Sequence, residues 1–390
     1  MADKAYITPN VLKWARESAR MSEESAAAKA SVTVDKLKEW EDGTSQPTIN
    51  QAQILAKAYK RPFALFFLPE IPRDFQPLQD FRKKDSKELT TSSVFIIREI
   101  QQKQAWISDV YSENGEHSLP FVGRFSIKDN PKIVAQDILK TLNINPPNYK
   151  TDAPIKEWID AAEKNGIFVS RTSFIHSRLK LDSDEIQGFA ISDRYAPFVF
   201  VNSEDWNAPQ LFTLVHEIAH IWIAATGISN AIEPEIKNGD KFHPIELFCN
   251  EVAANALMPE DIILNLNFNI FQNSKEVFRI AKTLGVSSYA LLVRVKNLDL
   301  ISISAYQKLK KEADIEYQDY LKRELEKKAK QKDKKGGPNY FLLQLNRNSR
   351  LFTQTVLDAF RGGYIEPTVA SSLLNVQVNK FQKLEAQLYR

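Results

Sequence analysis

Two histidines four residues apart flank a glutamate in His216-Glu217-Ile218-Ala219-His220. On a helix this spacing puts both imidazoles on one face, within reach of a single ion. Glu217, next to the first histidine, projects toward the place where an ion-bound water would lie. Zinc suits such a set best, because it takes imidazole nitrogen and carboxylate oxygen and leaves one position for water. Mn2+ is the possible substitute. The chemistry to expect is hydrolysis: zinc acidifies its water and polarises a carbonyl, and Glu217 acts as general base. Two surface histidines paired along a helix are the plainer alternative. Phe212, Leu214, Val215, Ile218, Ile221 and Trp222 surround them, so the helix reads as buried.

A third protein ligand must come from elsewhere, and His243, Glu246 and Glu251 are candidates, with Glu233 and Glu235 more remote. Spacing favours Glu246. A helix from about Pro244 to Leu257 aligns Glu246, Asn250 and Ala253 on one stripe. Glu246 can then ligate while Asn250, one turn on, orients a ligating histidine. Ala253, Ala254 and Ala256 let this helix approach the first closely. An oxyanion donor is left open among His243, Tyr195 and the arginines. Cys249, the single cysteine, fits a packing role.

The run FTLVHEIAHIW followed by ELFCNEVAANALMP resembles the ImmA/IrrE family of metallopeptidases. Gln187-Gly188-Phe189-Ala190-Ile191 and Phe198-Val199-Phe200-Val201-Asn202 are similar to the hairpin that precedes the motif in that family. The resemblance spans about 165 to 300. Cys249, Val252 and Ala256 depart mildly from its pattern, and the ligand and base positions are intact. It implies a metallo-endopeptidase, gluzincin-like, with metal ligands His216, His220 and Glu246 and catalytic base Glu217. It also implies a protein substrate, a helix-turn-helix repressor whose cleavage releases mobile-element or stress genes. A DNA-binding regulator, or an antitoxin-like module that uses the peptidase fold as a sensor, is the alternative. The strand Gly188, Phe189, Ala190 is the expected substrate-binding edge, by strand addition.

Other segments must hold these residues in place. From Ile167 the apolar period changes from helical to two: Ile167 to Arg171, Ile186 to Ile191 and Pro197 to Asn202 read as strands, with a turn at Asp193 to Ala196. A small, largely antiparallel sheet feeding the histidine helix is the expected α+β, zincin-like core, over 166–304. Residues 1–72 read as an all-α bundle. Leu12, Arg16, Ala27, Val32, Leu37, Trp40-Glu41-Asp42-Gly43 and Pro47 resemble the phage-repressor (XRE) type of helix-turn-helix. That alignment would bring Glu23, Val34, Asp35 and Glu39 to the bases, a poor reading surface. Residues 1–70 carry ten Lys+Arg and nine Asp+Glu. Lys36 and Lys38 could touch phosphate, so DNA and a protein partner both stay open for this bundle. Residues 73–165 read as a helical connection, 305–338 as a charged helix and linker, and 339–390 as a C-terminal helical domain, making a multidomain chain.

A net charge of +3 over 390 residues does not advertise nucleic acid. One cysteine precludes an internal disulfide and fits a reducing, cytoplasmic setting. No run of about 18 apolar residues predicts a membrane span. The oligomeric state is open, a dimer included.

Overall fold

The computed structural model describes residues 3–75, 77–82, 87–176, 179–229, 243–332 and 339–390. Two compact units divide the chain. The first comprises Met1–Pro77, Lys87–Gln101 and Phe174–Leu181, and the second Leu78–Ser86, Gln102–Ser173 and Asp182–Arg390. Glu233 and Glu235, the Lys83-Lys84-Asp85 loop and Gly336-Gly337-Pro338 lie outside the described residues.

The first unit opens with α1 (Pro9–Ser18), α2 (Glu23–Ala30), α3 (Val34–Glu41) and α4 (Ile49–Ala58), then a 3-10 turn over Phe63–Phe67. Polar caps start three of them. Ser22, Thr33 and Thr48 each accept the backbone N–H three residues on, and Gln51 completes a capping box with Thr48. Thr8 precedes α1 without capping it through its side chain, and its hydroxyl donates to the Leu68 carbonyl at 2.6 Å. Leu12, Ala15, Leu37, Trp40, Leu55, Tyr59 and Phe66 fill the core. Arg16 grips Glu41 through two buried hydrogen bonds of 2.7 and 2.8 Å.

β1 (Gln79–Asp80) belongs to the second unit. α5 (Thr91–Glu113) begins in the first unit and ends in the second, and is followed by α6 (Pro131–Leu142) and α7 (Pro154–Lys164). Next come β2 (Phe168–Thr172), then β3 (Phe174–His176) and β4 (Leu179–Lys180), an antiparallel pair in the first unit. The second unit continues with β5 (Gly188–Ile191), β6 (Phe198–Asn202), α8 (Asn207–Trp222), β7 (Gly227–Ser229), α9 (Pro244–Leu257), α10 (Glu260–Leu264), α11 (Ser274–Leu284), α12 (Ser288–Asn297) and α13 (Ile303–Lys332). It closes with α14 (Tyr340–Asn348), α15 (Arg350–Arg361), α16 (Pro367–Leu374) and α17 (Phe381–Leu388).

The main sheet has the order β1-β7-β5-β6-β2 and is evenly mixed, which corrects the expected largely antiparallel sheet. β5 pairs antiparallel with β6 and with β7, whereas β2 runs parallel to β6 and β1 parallel to β7. Apolar alternation reports which face is buried and not which way a strand runs, so direction was invisible in the sequence. Every residue of β6 is buried. Such strands are covered on both faces. α8 packs against β5 and β6, while Phe352 of α15 meets Phe168 and Phe198 edge-on. The C-terminal helices, expected to form a domain of their own, therefore help to build this core. Ser170 of β2 donates to the Arg347 carbonyl at 2.5 Å, and Lys103 to Asn348 at 2.7 Å. Among the described residues no helix is long and apolar enough to cross a membrane.

Candidate metal centre

α8 is buried continuously from Gln210 to Trp222, sealed at its end by Phe121 stacked on Trp222 and by an indole hydrogen bond to Asp137. α9 lies against α8 through small side chains, with Cys249, Ala253 and Ala256 fully buried. That close approach brings Glu246, in the first turn of α9, to the two histidines of α8. One ligand atom from each of His216, His220 and Glu246 lies within 4.8 Å of the others, and this set could hold a metal ion. His216 and His220 have no exposed surface, and Glu246 almost none.

The two Nε2 atoms face each other at 3.0 Å, and Glu246 oxygens stand 3.3 Å from His216 Nε2 and 3.1 Å from His220 Nε2. Asn250 Oδ1 lies 2.9 Å from His216 Nδ1. The amide oxygen can only accept, so Nδ1 carries the proton and Nε2 is left bare, the tautomer a metal ligand needs. Both Glu246 oxygens, both Glu217 oxygens and His220 Nδ1 make no hydrogen bond of good geometry among the described residues. Buried polar atoms are normally satisfied, and a cluster left unsatisfied costs several kcal/mol unless something binds there. A divalent cation shared by the two Nε2 atoms and the Glu246 carboxylate would satisfy that carboxylate, so the residues fit a metal. Burial, reinforced by His216 and opposed by Glu246, lowers the pKa of His220, favouring the neutral form a ligand requires. Burial would raise Glu246, but the two histidines outweigh it and hold this carboxyl below the usual range. Glu217 is pushed well above that range by burial first and by the Glu246 charge second. A cation on the neighbouring ligands would draw it back down.

Residues 162–296 match the family model of the IrrE N-terminal-like domain, Peptidase_M78. The match covers roughly a third of the chain and contains His216, Glu217, His220, Glu246 and Asn250. This part of the chain is similar to that peptidase domain, and the match does not reach the N-terminal helices. No curated protein is similar enough to match the chain.

The remaining sequence candidates fall in different places. His243 caps α9, accepting from the Ile245 N–H at 3.4 Å, and Glu251 is exposed on α9; neither joins the ligand set. The expected substrate edge at Gly188, Phe189 and Ala190 is corrected. β5 is flanked by β6 and β7, so its backbone is already paired on both sides, and Phe189 and Ala190 are core. Gly188 does border the centre: a Cβ there would lie 2.8 Å from Glu217 Oε1. In the first unit Lys36 pairs with Glu39 at 2.5 Å and Lys38 with Glu23 at 3.2 Å. Three residues near the histidines carry no mark in the sequence. Ser229 on β7 has its hydroxyl 3.2 Å from His220 Nε2, Phe81 stacks on the His220 ring, and Gly227 lies beneath Phe81. A three-residue strand is too short for its period to show, and no local pattern ties Phe81 to a helix so far along the chain.

Proposed function

We propose that the second unit is a zinc-dependent endopeptidase that cuts a helix-turn-helix repressor. Its metal is held by His216, His220 and Glu246, and Glu217 is the general base. The observation that carries this reading is the convergence of three buried ligand atoms, the two imidazole Nε2 atoms and a Glu246 oxygen, beside a second buried carboxylate, Glu217. A bound divalent ion supplies Lewis acidity toward a water and the scissile carbonyl. Glu217 takes the proton of the attacking water and passes it to the leaving amine, so that one C–N bond breaks and one C–O bond forms. Asn250 keeps His216 in the ligating tautomer. The repressor as substrate is supported by the resemblance of the motif helices to the ImmA/IrrE family.

The test uses the full chain with a candidate repressor of the helix-turn-helix type. Wild type is expected to carry zinc and to cut. Glu217→Gln is expected to keep the zinc and not cut, and His220→Ala to lose most of the zinc. Equal cutting by Glu217→Gln would remove the base assignment, and undiminished zinc in His220→Ala would remove the ligand assignment.

A further inference from the structure

β7 is the strand that borders the histidines, since Ser229 reaches His220 Nε2. One side of β7 is taken by β5, and its other side is the edge along which an extended peptide could pass. The chain's own Gln79–Arg82 already lies there. Gln79 and Asp80 pair in parallel register with Gly227 and Ile228, and the Phe81 N–H donates to the Ile228 carbonyl at 3.0 Å. Gln79 and Asp80 are exposed, but Phe81 is buried. Its ring stacks on His220, with centroids 5.5 Å apart and planes 9° from parallel, and stands 5.0 Å from the His243 ring. Gly227 makes the space: a Cβ there would fall 2.3 Å from the Phe81 ring and 2.7 Å from the Gln79 carbonyl. Arg82 fastens the end, donating to the Glu185 carbonyl at 2.8 Å and to Asp80 at 2.6 Å.

Several features make this segment an occupant and not merely an edge strand. It is two residues long as a strand, so little backbone pairing holds it. The Phe81 ring and the Arg82 guanidinium add side-chain contacts to that pairing. That anchor rests on a proposed ligand and not on inert core. His216, Glu217 and His220 have no exposed surface, so a peptide reaches them only when something covering them moves.

We propose that Gln79–Arg82 fills the peptide-binding edge of β7 as an internal stand-in for substrate, with Phe81 in a pocket for an aromatic side chain of the substrate. The segment must leave before a peptide can bind. The proposal rests on the peptidase reading for what the peptide is, and it names the substrate class: an extended segment with a phenylalanine-like residue beside His220.

The test measures binding, so that it does not depend on cutting. A fluorescein-labelled peptide Leu-Gln-Asp-Phe-Arg is titrated by anisotropy into the full-length, zinc-loaded chain carrying Glu217→Gln, with and without Phe81→Ala. A control peptide has Ala in place of Phe. If the pocket is filled nine-tenths of the time or more, emptying it should tighten binding by about tenfold or more. Arg82→Ala, which leaves the pocket walls unchanged, should give a smaller gain in the same direction and serves if Phe81→Ala does not fold. The Ala peptide should bind all forms equally weakly. Equal affinity of the Phe peptide for all three chains, or no binding to the variants, would overturn the proposal. Tighter binding by these variants, together with no cutting by the chain that keeps Glu217, would instead leave the occupied edge standing and remove the peptidase reading.

Discussion

Gly188→Ala separates two roles for the strand that precedes the motif helix. A Cβ at this position would meet Thr213 Cγ2 at 2.7 Å, Glu217 Oε1 at 2.8 Å and the Phe200 carbonyl at 3.0 Å. Ordinary contacts are longer, so the neighbours must yield by roughly half an ångström, at about 1–3 kcal/mol for an overpacked site. They do not yield equally. Thr213 is β-branched, stiff and buried in α8. The Phe200 carbonyl belongs to the β5–β6 pairing. Glu217 meets the new methyl with the end of a side chain, so its carboxylate moves. Misplacing a reacting group on this scale costs up to about a hundredfold in rate. The expected result is kcat down by about 10- to 100-fold with KM and zinc content little changed, read from repressor cleavage under saturating and limiting substrate, alongside a melting point lowered by a few degrees. Were Gly188 instead a backbone contact for the substrate, KM would rise and kcat would hold. That outcome would refute the placement of Glu217 argued from the crowding.

Asn250→Ala removes the acceptor that fixes the His216 tautomer, and zinc affinity measured by chelator competition should fall about 10- to 100-fold; an unchanged affinity would mean that His216 needs no such partner. Glu163 should leave a signature in stability against pH. Burial first of all raises its carboxyl to about 7, against the Ser349 hydroxyl and the Arg350 N–H that it accepts at 2.6 and 2.9 Å. A folded pKa above the unfolded value of 4.5 means that its contribution is fully present below pH 4.5 and is lost as pH rises toward 7. The loss is about 3 kcal/mol in the second unit. Unfolding free energies from urea titrations across that window should fall for wild type by this amount more than for Glu163→Gln; parallel curves would show that Glu163 ionises in the fold without cost.

The parts legible in the sequence are those written by local spacing. The i,i+4 histidines and the Glu246–Asn250 stripe need only helical geometry and one close helix pair, and small side chains on α9 announced that pair. The starts of α2, α3 and α4 obey the same local rule: Ser22, Thr33 and Thr48 each accept a backbone N–H as a cap should. What was not legible depends on partners far apart in the chain. Strand direction in the sheet was one such feature, because β2 reaches β6 only after the β3, β4 and β5 segments have intervened. The saturation of β5 by two neighbours was another, since Gly188-Phe189-Ala190-Ile191 reads the same at an edge as in the middle of a sheet. The packing of α14 and α15 on β2 was a third: residues 339–390 have the amphipathic period of a free-standing bundle, and periodicity does not say what a face is buried against.

The charges of the first unit set an expectation for its partner. Lys36 and Lys38 are its basic candidates on α3, and each is engaged by a carboxylate of the same unit, Glu39 and Glu23. Exposed pairs of this kind contribute about 0–1 kcal/mol, so a phosphate could displace either lysine's acid. The displaced carboxylate would then face the duplex backbone uncompensated, and Asp35 stands exposed on the same helix. Counterion release scales with the number of phosphates neutralised, and a surface whose added positive and negative charges nearly cancel gains little from it. The full chain should therefore give no mobility shift on operator fragments at low salt, and Lys36→Ala with Lys38→Ala should change nothing there. A shift that steepens as salt is lowered and disappears in the double variant would refute this, and would return these two lysines to the phosphate contacts that their position on a repressor-like helix suggested.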